Sequence, residues 1–221
     1  MFSEDEARRL TAQLVDGAVS VGAAVNEAQA AQLIRFLGLL LDWNRKVNLT
    51  AITDPAEAVE HHLLDALAAA PMVADLKSVM DIGTGGGVPG IPLAIVNPNQ
   101  QWVLVETVGK KVGFLKAAAA ALGLKNVRSI QARACGHPET ERIPLCEGAI
   151  SRAFTAAPTW FDLARHYVTG PGAICWMLGA GTDARALAES IGSADIQIWD
   201  YSLPNSHIAR QILRASIAGA P

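Results

Sequence analysis

The amino-acid sequence predicts a doubly wound α/β fold with a mostly parallel, seven-stranded sheet that follows a helical N-terminal extension. From Ser78 onwards, short apolar runs alternate with helical segments, which is the pattern of βαβ units. A glycine-rich loop directly follows the first apolar run, and Glu106 ends the second. The first seventy residues instead carry the periodicity of amphipathic helices. These three observations fix the fold class.

The N-terminal extension contains two clear helical signals. Between Asn26 and Trp43, leucine and isoleucine residues recur at helical spacing. Asp54 is a helix-capping residue type, Pro55 suits the first helical position and Glu57 completes a capping box, so a helix is predicted over Pro55–Ala70. We expect residues 1–72 to form the helical extension and residues 73–221 to form the core, packed together as one compact unit.

The core sequence divides into alternating strands and helices. The predicted strands are Val79–Ile82, Trp102–Glu106, Val127–Gln131, Gly148–Ser151, Ala173–Leu178, Asp195–Trp199 and Ile208–Leu213. The predicted helices are Ile91–Val96, Lys110–Leu122, Thr159–Val168 and Asp183–Ile191. Gly123 is expected to stop the second of these helices.

Composition excludes several classes of protein. The chain has 221 residues, 51% of them hydrophobic, and its apolar runs are much shorter than the roughly 20 residues that cross a bilayer. Its first residues are acidic and lack the order of a signal peptide, so we expect a cytoplasmic protein without membrane contact. The three cysteines are far apart, which predicts neither a metal site nor a disulfide. Because the net charge is −3, any contact with nucleic acid requires a local basic surface.

The glycine loop is the densest functional signal in the chain. Residues 81–92 read DIGTGGGVPGIP, and Gly83, Gly85 and Gly87 are among five glycines in the eight residues 83–90. The loop follows a strand, and the carboxyl ends of strands are where open α/β sheets bind ligands. An ordinary βα turn seldom needs this many glycines. The loop therefore predicts a site for a nucleoside-like cofactor.

Two cofactors compete for this loop. Gly85, Gly87 and Gly90 satisfy the spacing of a dinucleotide fingerprint, so a nucleotide-dependent oxidoreductase is one alternative. Pro89 and Pro92 would disturb the helix that cradles a pyrophosphate, and the acidic Asp81 would repel one. S-adenosylmethionine carries a sulfonium and an ammonium group, which suit Asp81. Glu106 is placed to accept the ribose hydroxyls of either cofactor.

Several stretches together resemble the bacterial 16S rRNA guanine-N7 methyltransferases, also called the glucose-inhibited division protein B family. The matching stretches are residues 43–52 (WNRKVNLTAI), 62–65 (HLLD), 81–95, 109–115 (GKKVGFL) and 150–154 (ISRAF). This resemblance implies a class I methyltransferase fold, S-adenosylmethionine as cofactor, and methylation of a guanosine in the 530 loop of 16S rRNA. The partner would be 16S rRNA or the small ribosomal subunit, and the protein is expected to be a monomer.

The resemblance also assigns residues. It implies cofactor contacts at Gly83, Val88, Ala134, Cys135 and Arg152, with Glu106 on the ribose, in addition to Asp81, Gly85 and Gly87 from the loop itself. The sequence departs from the family at Cys135, usually an acid, at Leu178, usually a lysine, and at Ser206, usually an arginine. Since two of these changes remove positive charge, a catalytically weakened RNA-binding relative is a further alternative.

The expected chemistry is one of positioning. Guanine N7 presents a lone pair and no proton, so no general base is needed, and no catalytic residue is assigned. Arg152, Asn48 and Lys46 are the positioning candidates, and Lys46, Lys110 and Lys111 are the candidates for RNA contact. His62 and Asp65 are three residues apart, which predicts an internal pair on one helix face at the junction with the core.

Overall fold

A computed structural model describes residues 2–152, 157–179, 181–191 and 195–218 of the chain. Its first two helices are α1 (Glu4–Ser20) and α2 (Glu27–Asn44). Local sequence explains where both begin. The Ser3 side chain accepts a hydrogen bond from the Glu6 amide, and Asn26 and Gln29 form a reciprocal capping box. The predicted helix over Asn26–Trp43 is confirmed, and the buried residues Leu10, Leu14 and Ala18 of α1 also follow helical spacing.

The third helical segment begins as predicted and then changes geometry. The Asp54 side chain accepts from the Glu57 amide and starts α3 (Pro55–Ala58). A π-helical turn follows over Val59–Leu64, then α4 (Asp65–Leu67) and α5 (Ala70–Val73). The prediction of one regular helix to Ala70 was therefore wrong. Glu60, His62 and Asp65 are buried in and after the π turn, and each finds a polar partner outside this segment.

The seven predicted strands are all present. They are β1 (Ser78–Ile82), β2 (Gln101–Glu106), β3 (Val127–Gln131), β4 (Cys146–Arg152), β5 (Val168–Met177), β6 (Ile196–Ser202) and β7 (Ala209–Ile217). They form one sheet in the order β3-β2-β1-β4-β5-β7-β6. The strand β7 is antiparallel to both its neighbours, and the other pairs are parallel. This confirms the predicted fold class.

Helices connect the strands and cover both faces of the sheet. They are α6 (Gly90–Val96), α7 (Gly109–Leu122), α8 (Pro138–Glu141), α9 (Ala157–Ala164) with a 3₁₀ turn over Arg165–Tyr167, and α10 (Ala184–Ile191). The predicted helix ending at Val168 was too long, because β5 already begins there. The four residues of α8 are too few to show helical periodicity, so the sequence did not reveal this helix.

Two apolar clusters lie on opposite faces of the sheet. One contains Leu33 and Leu37 of α2 together with Ile91 of α6 and Phe114 of α7, so the extension and the core share it. The other contains Trp160 of α9 on the opposite face. Among the described residues, no helix combines the length and apolar character that a membrane span requires.

Candidate functional site

Three adjoining cavities follow the edge of the sheet where the parallel strands end. The β1–β3 cavity has about 330 Å³ and is lined by Ile82, Gly83, Val105, Glu106, Thr107 and residues 132–135. The loop cavity has about 180 Å³ and is lined by Leu40, Leu49, Thr50, His62, residues 83–86, Val88 and Arg152. The β4–β5 cavity has about 290 Å³ and is lined by Ile52, His61, His62, Asp65, Arg152, residues 177–179 and Arg210.

Shared residues connect these cavities into one row. Gly83 lines both the β1–β3 cavity and the loop cavity. His62 and Arg152 line both the loop cavity and the β4–β5 cavity. The topology explains this arrangement, because the carboxyl ends of parallel strands meet at one edge of a sheet. Most of the predicted cofactor residues therefore line one continuous site, and the positioning candidate Arg152 lies in the middle of it.

Asp81 organises the glycine loop. Its side chain is only 1% exposed, and its Oδ2 accepts hydrogen bonds from the Thr84 hydroxyl at 2.6 Å and from the Gly90 amide at 2.9 Å. Oδ1 has no hydrogen-bond partner among the described residues. Burial raises the pKa of the Asp81 carboxyl to about 6, although both hydrogen bonds oppose this shift. The sequence predicted an acid for a cationic ligand and did not reveal this role in the loop.

Glu106 connects the glycine loop to the end of β2. One carboxylate oxygen accepts from the Gly85 amide at 3.0 Å, and the other accepts from the Val108 amide at 2.8 Å and the Thr107 hydroxyl at 3.1 Å. These contacts hold the carboxylate at the wall of the β1–β3 cavity. Since an ionised carboxylate has about four acceptor positions, Glu106 retains capacity for a ligand.

The far wall of the β1–β3 cavity depends on two residues that sequence reasoning missed. Cys135 donates its amide hydrogen to Glu141 of α8 at 2.8 Å, and Gly136 donates its own to the Tyr167 hydroxyl at 2.8 Å. The Tyr167 hydroxyl in turn donates to Glu141. Glu141 and Tyr167 therefore fix the backbone beside Ala134 and Cys135. No local signal identifies this pair, because its members are 26 residues apart.

Arg152 joins the end of β4 to the extension. Its guanidinium donates to the His61 carbonyl at 2.8 Å and to Asp65 Oδ2 at 3.2 Å, and its side chain remains a quarter exposed. The other Asp65 oxygen accepts from the Tyr201 hydroxyl at 2.7 Å. These bonds hold the guanidinium between the loop cavity and the β4–β5 cavity. Arg152 is thus both paired with an acid and placed in the site.

The predicted direct pair between His62 and Asp65 was wrong. The His62 Nε2 atom lies 2.7 Å from the Thr50 hydroxyl, and Nδ1 lies 3.5 Å from an Arg152 nitrogen, so Arg152 stands between the two side chains. The π turn removes the spacing on which the prediction depended. Burial, together with the positive charge of Arg152, lowers the pKa of His62 to about 4. The ring is therefore neutral at physiological pH.

The loop before α3 closes over the glycine loop. The Asn44 side chain accepts from the amides of Leu49 and Thr50 and donates to the Thr50 carbonyl. Leu49 and Thr50 consequently line the loop cavity, whereas the neighbouring Lys46 and Asn48 are exposed. The structure therefore assigns loop-fixing contacts to Asn44 and Thr50, and the positioning candidates Lys46 and Asn48 do not line the loop cavity.

The other predicted basic residues lie at the start of α7. Lys110 is exposed and Lys111 is half-buried there, next to Val108 and Glu106 at the end of β2.

The departures from the family at Leu178 and Ser206 do more than remove positive charge from an open surface. Leu178 is 4% exposed and lines the β4–β5 cavity, while the amide and hydroxyl of Ser206 both donate to the buried Glu60. Two residues of the motif at 150–154, Ala153 and Phe154, lie outside the described residues.

Asp81 and His62 predict opposite effects of pH on folding. The pKa of Asp81 is raised in the folded protein, from an ordinary 3.8 to about 6, so its contribution to stability falls as pH rises between those values. The pKa of His62 is lowered from 6.5 to about 4, so its contribution rises over nearly the same range. At 1.36 kcal/mol per pKa unit, each effect is on the order of 3 kcal/mol.

We expect the variants Asp81→Asn and His62→Gln to separate these two effects. In urea unfolding at pH 4, 5, 6 and 7, the stability of Asp81→Asn relative to wild type should increase with pH, and that of His62→Gln should decrease. If the difference in unfolding free energy between each variant and wild type did not change with pH, the burial of both titrating groups would be contradicted.

The fold and the row of cavities define a class I S-adenosylmethionine-dependent methyltransferase. Solved methyltransferases share the fold: a putative O-methyltransferase from Klebsiella pneumoniae superimposes with a TM-score of 0.57 at 16% identity, covering 83% of this chain and 90% of its own. An O-methyltransferase from Bacillus cereus in complex with SAH gives 0.54 at 16% identity, covering 83% and 90%. At this identity, the likeness concerns the fold alone.

The chain belongs to the family of rRNA small subunit methyltransferase G (GidB), whose family model matches residues 29–212. A ribosomal RNA small subunit methyltransferase G from Myxococcus xanthus is 44% identical over 207 residues, covering 92% of this chain and 95% of the relative. The corresponding protein of Anaeromyxobacter dehalogenans is 42% identical over 205 residues, covering 91% and 94%. Family membership and a methyltransferase fold both speak against the oxidoreductase alternative.

Proposed function

We propose that this protein uses S-adenosylmethionine to methylate N7 of a guanosine in the 530 loop of 16S rRNA. The observation that carries the proposal is the row of cavities, which leads from Glu106 through Gly83 to Arg152. Such a row offers adjoining places for a cofactor and an acceptor base at one edge of the sheet. Membership of the GidB family supports ribosomal RNA as the substrate class.

The described residues fit this cofactor. The β1–β3 cavity presents the Glu106 carboxylate, which would accept the ribose hydroxyls, and Gly83, Ala134 and Cys135 line the same cavity. Behind Gly83, the buried Asp81 Oδ1 is an acceptor without a hydrogen-bond partner among the described residues. Negative charge at both places suits a cationic nucleoside. Bound S-adenosylmethionine supplies an electrophilic methyl group on a positively charged sulfur.

The remaining chemistry is positioning by the protein's own residues. Arg152 is held by His61 and Asp65 between the loop cavity and the β4–β5 cavity, where its free donors can orient the O6 atom of guanine. Guanine N7 loses no proton on methylation, so the neutral His62 has no proton to remove. Its contact with Thr50 instead fixes the loop that covers the glycines. Orientation of two reactants can lower a barrier by roughly 7 to 11 kcal/mol.

The RNA would be guided by lysines near this row, of which Lys46 and Lys110 are exposed and Lys111 is half-buried. Lys46 follows α2, and Lys110 and Lys111 begin α7 close to Glu106. Together they supply a local basic surface that the net charge of −3 does not reveal. We further propose that the protein works as a monomer in the cytoplasm, where its proposed ribosomal RNA substrate is found.

The direct test is to map the methyl group. The purified protein, radiolabelled S-adenosylmethionine and small subunits or 16S rRNA from a strain without this gene are incubated, and the labelled nucleotide is located by chemical cleavage at N7-methylguanosine. We expect one labelled guanosine in the 530 loop. Label at another position would refute the proposed site. Binding of S-adenosylhomocysteine without methyl transfer would instead support the weakened RNA-binding relative.

We expect the protein to bind S-adenosylmethionine and S-adenosylhomocysteine but not NAD. The Asp81 carboxylate accepts from the Gly90 amide at the start of α6, where a pyrophosphate would have to lie, and Pro92 falls within the first turn of that helix. Isothermal titration calorimetry with the three ligands, at equal concentrations, measures this difference. Tight binding of NAD without a response to S-adenosylhomocysteine would overturn the assignment of the glycine loop.

Methyl transfer should be nearly independent of pH in the range where an ordinary histidine titrates. An acceptor atom that loses no proton gives a flat profile between about pH 6 and 8.5 unless another group of the site titrates there. Because the pKa of Asp81 is about 6, we now expect the flat region to begin near pH 7. Single-turnover rates at saturating substrate provide the profile. A histidine-like step that disappears in His62→Gln, with RNA affinity unchanged, would require an acceptor that loses a proton.

A further inference from the structure

A fourth cavity continues the row beyond the acceptor side of the site. This β5–β7 groove has about 470 Å³ and is lined by Gly179, Gly181, Thr182, residues 200–202 and residues 209–211. Gly179 and Arg210 line both the groove and the β4–β5 cavity. The groove lies at the same edge of the sheet because β6 ends there and the antiparallel β7 begins there.

Arg210 at the junction of the two cavities has unused hydrogen-bonding capacity. Its side chain is 23% exposed, and its Nε lies 4.0 Å from Asp65 Oδ1, which is an ion pair without a hydrogen bond. Within the described part of the chain, the guanidinium makes no hydrogen bond, and Nε is a buried donor without an acceptor. Arg214 also has a buried Nε without an acceptor, but a terminal nitrogen of Arg214 and one of Arg152 each donate to an aspartate, whereas Arg210 has no such bond among the described residues. A partly exposed guanidinium without hydrogen bonds can donate to an anionic ligand.

The rest of the groove suits a nucleotide. Thr182 and Ser202 offer hydroxyl groups. The Gln211 amide accepts from the Ala184 amide at 3.3 Å and donates to Asp200 at 2.7 Å, which holds the Asp200 carboxylate in the groove. These groups can pair with base edges and with ribose hydroxyls. The groove volume is within the range of sites for molecules of nucleotide size. The single cation stands at one end, where the groove meets the acceptor cavity.

We propose that the β5–β7 groove binds the ribonucleotide next to the acceptor guanosine, with the Arg210 guanidinium on the phosphate that joins the two nucleotides. The inference rests on the proposed function, because it takes the β4–β5 cavity as the place of the acceptor. Arg210 is a substrate-binding residue under this assignment. It fixes the position of the RNA backbone, and so of the acceptor nucleotide, and takes no part in holding the cofactor.

The test compares Arg210→Gln with Arg128→Gln. Arg128 is an exposed arginine on β3, which is the outermost strand on the side of the sheet away from β6 and β7. The control therefore removes the same charge far from the groove. For Arg210→Gln, we expect KM for the rRNA substrate to rise about tenfold and the slope of log affinity against log salt concentration to fall by about one. The affinity for S-adenosylhomocysteine should not change. Arg128→Gln should match wild type in all three measurements.

Phosphate-ethylation interference locates the contact. Ethylating a phosphate that flanks the acceptor should inhibit methylation by wild type and by Arg128→Gln, whereas Arg210→Gln should be insensitive at that phosphate. If Arg210→Gln does not unfold cooperatively, Arg210→Lys keeps the ion pair with Asp65. Since lysine contacts phosphate at a single point, KM should then rise about threefold with the salt slope unchanged.

The outcomes separate the inference from the function on which it rests. If wild type does not methylate a guanosine in 16S rRNA, the proposed function fails. If wild type methylates it and either Arg210 variant retains the wild-type KM and interference pattern, only the inference fails. Arg210 would then serve solely to balance the charge of Asp65.

Discussion

Replacing Gly85 by Val is expected to weaken the binding of S-adenosylhomocysteine at least about hundredfold, while the protein still unfolds cooperatively. Gly85 has φ +58°, and an added Cβ atom would meet no side chain, the nearest atom being the Gly83 carbonyl oxygen at 4.0 Å. The substitution is therefore not a packing fault. A β-branched residue in this left-handed conformation is strained by about 1–3 kcal/mol and would shift the loop. The shift would break the Gly85 contact with Glu106 and deform the loop cavity.

Gly123→Val is the matched control for this prediction. Gly123 has φ +68° and open space around its Cβ position, but it caps α7 outside the row of cavities. We expect both variants to lose comparable stability in urea unfolding, and only Gly85→Val to lose affinity in calorimetry. If Gly85→Val bound the ligand as wild type does, the glycine loop would not be the cofactor loop. Equal loss of affinity in both variants would point to a general effect of destabilisation.

Arg152→Lys should lower the single-turnover rate of methyl transfer by about a hundredfold without removing positive charge from the site. A lysine ammonium is a point charge and cannot reproduce the planar fork that meets the His61 carbonyl and Asp65 together. The acceptor base would then be held in a less productive orientation. The salt dependence of RNA binding should remain unchanged, because the charge remains.

The affinity for S-adenosylhomocysteine tests whether Arg152 contacts the cofactor or the acceptor base. The resemblance assigned Arg152 to the cofactor, whereas its hydrogen bonds lead toward the β4–β5 cavity. We expect the affinity of Arg152→Lys for S-adenosylhomocysteine to stay within about threefold of wild type, since its contacts lie on the acceptor side. A large loss of this affinity, together with an unchanged rate at saturation, would instead show that Arg152 binds the cofactor.

Local features of the sequence sufficed for the frame of the site. The carboxyl ends of β1, β2 and β3, the Asp54 cap and the glycine loop are specified by residues that are neighbours in the chain, and each has the predicted position. Glu106 and the glycine loop meet because the ends of adjacent parallel strands lie side by side. Short-range backbone preferences and sheet topology therefore determined the class of site.

The tertiary structure alone decided how the site is completed. Arg152 and Asp65 are 87 residues apart, and Tyr201 and Asp65 are 136 apart, so no sequence periodicity relates them. Their meeting depends on the π turn, which places buried polar groups of the extension against the sheet. Burial then sets the charge states of Asp81 and His62. Desolvation and long-range pairing are properties of the packed chain, which is why the sequence determined the fold and the glycine loop, and the structure determined the contacts of Arg152 beside the β4–β5 cavity.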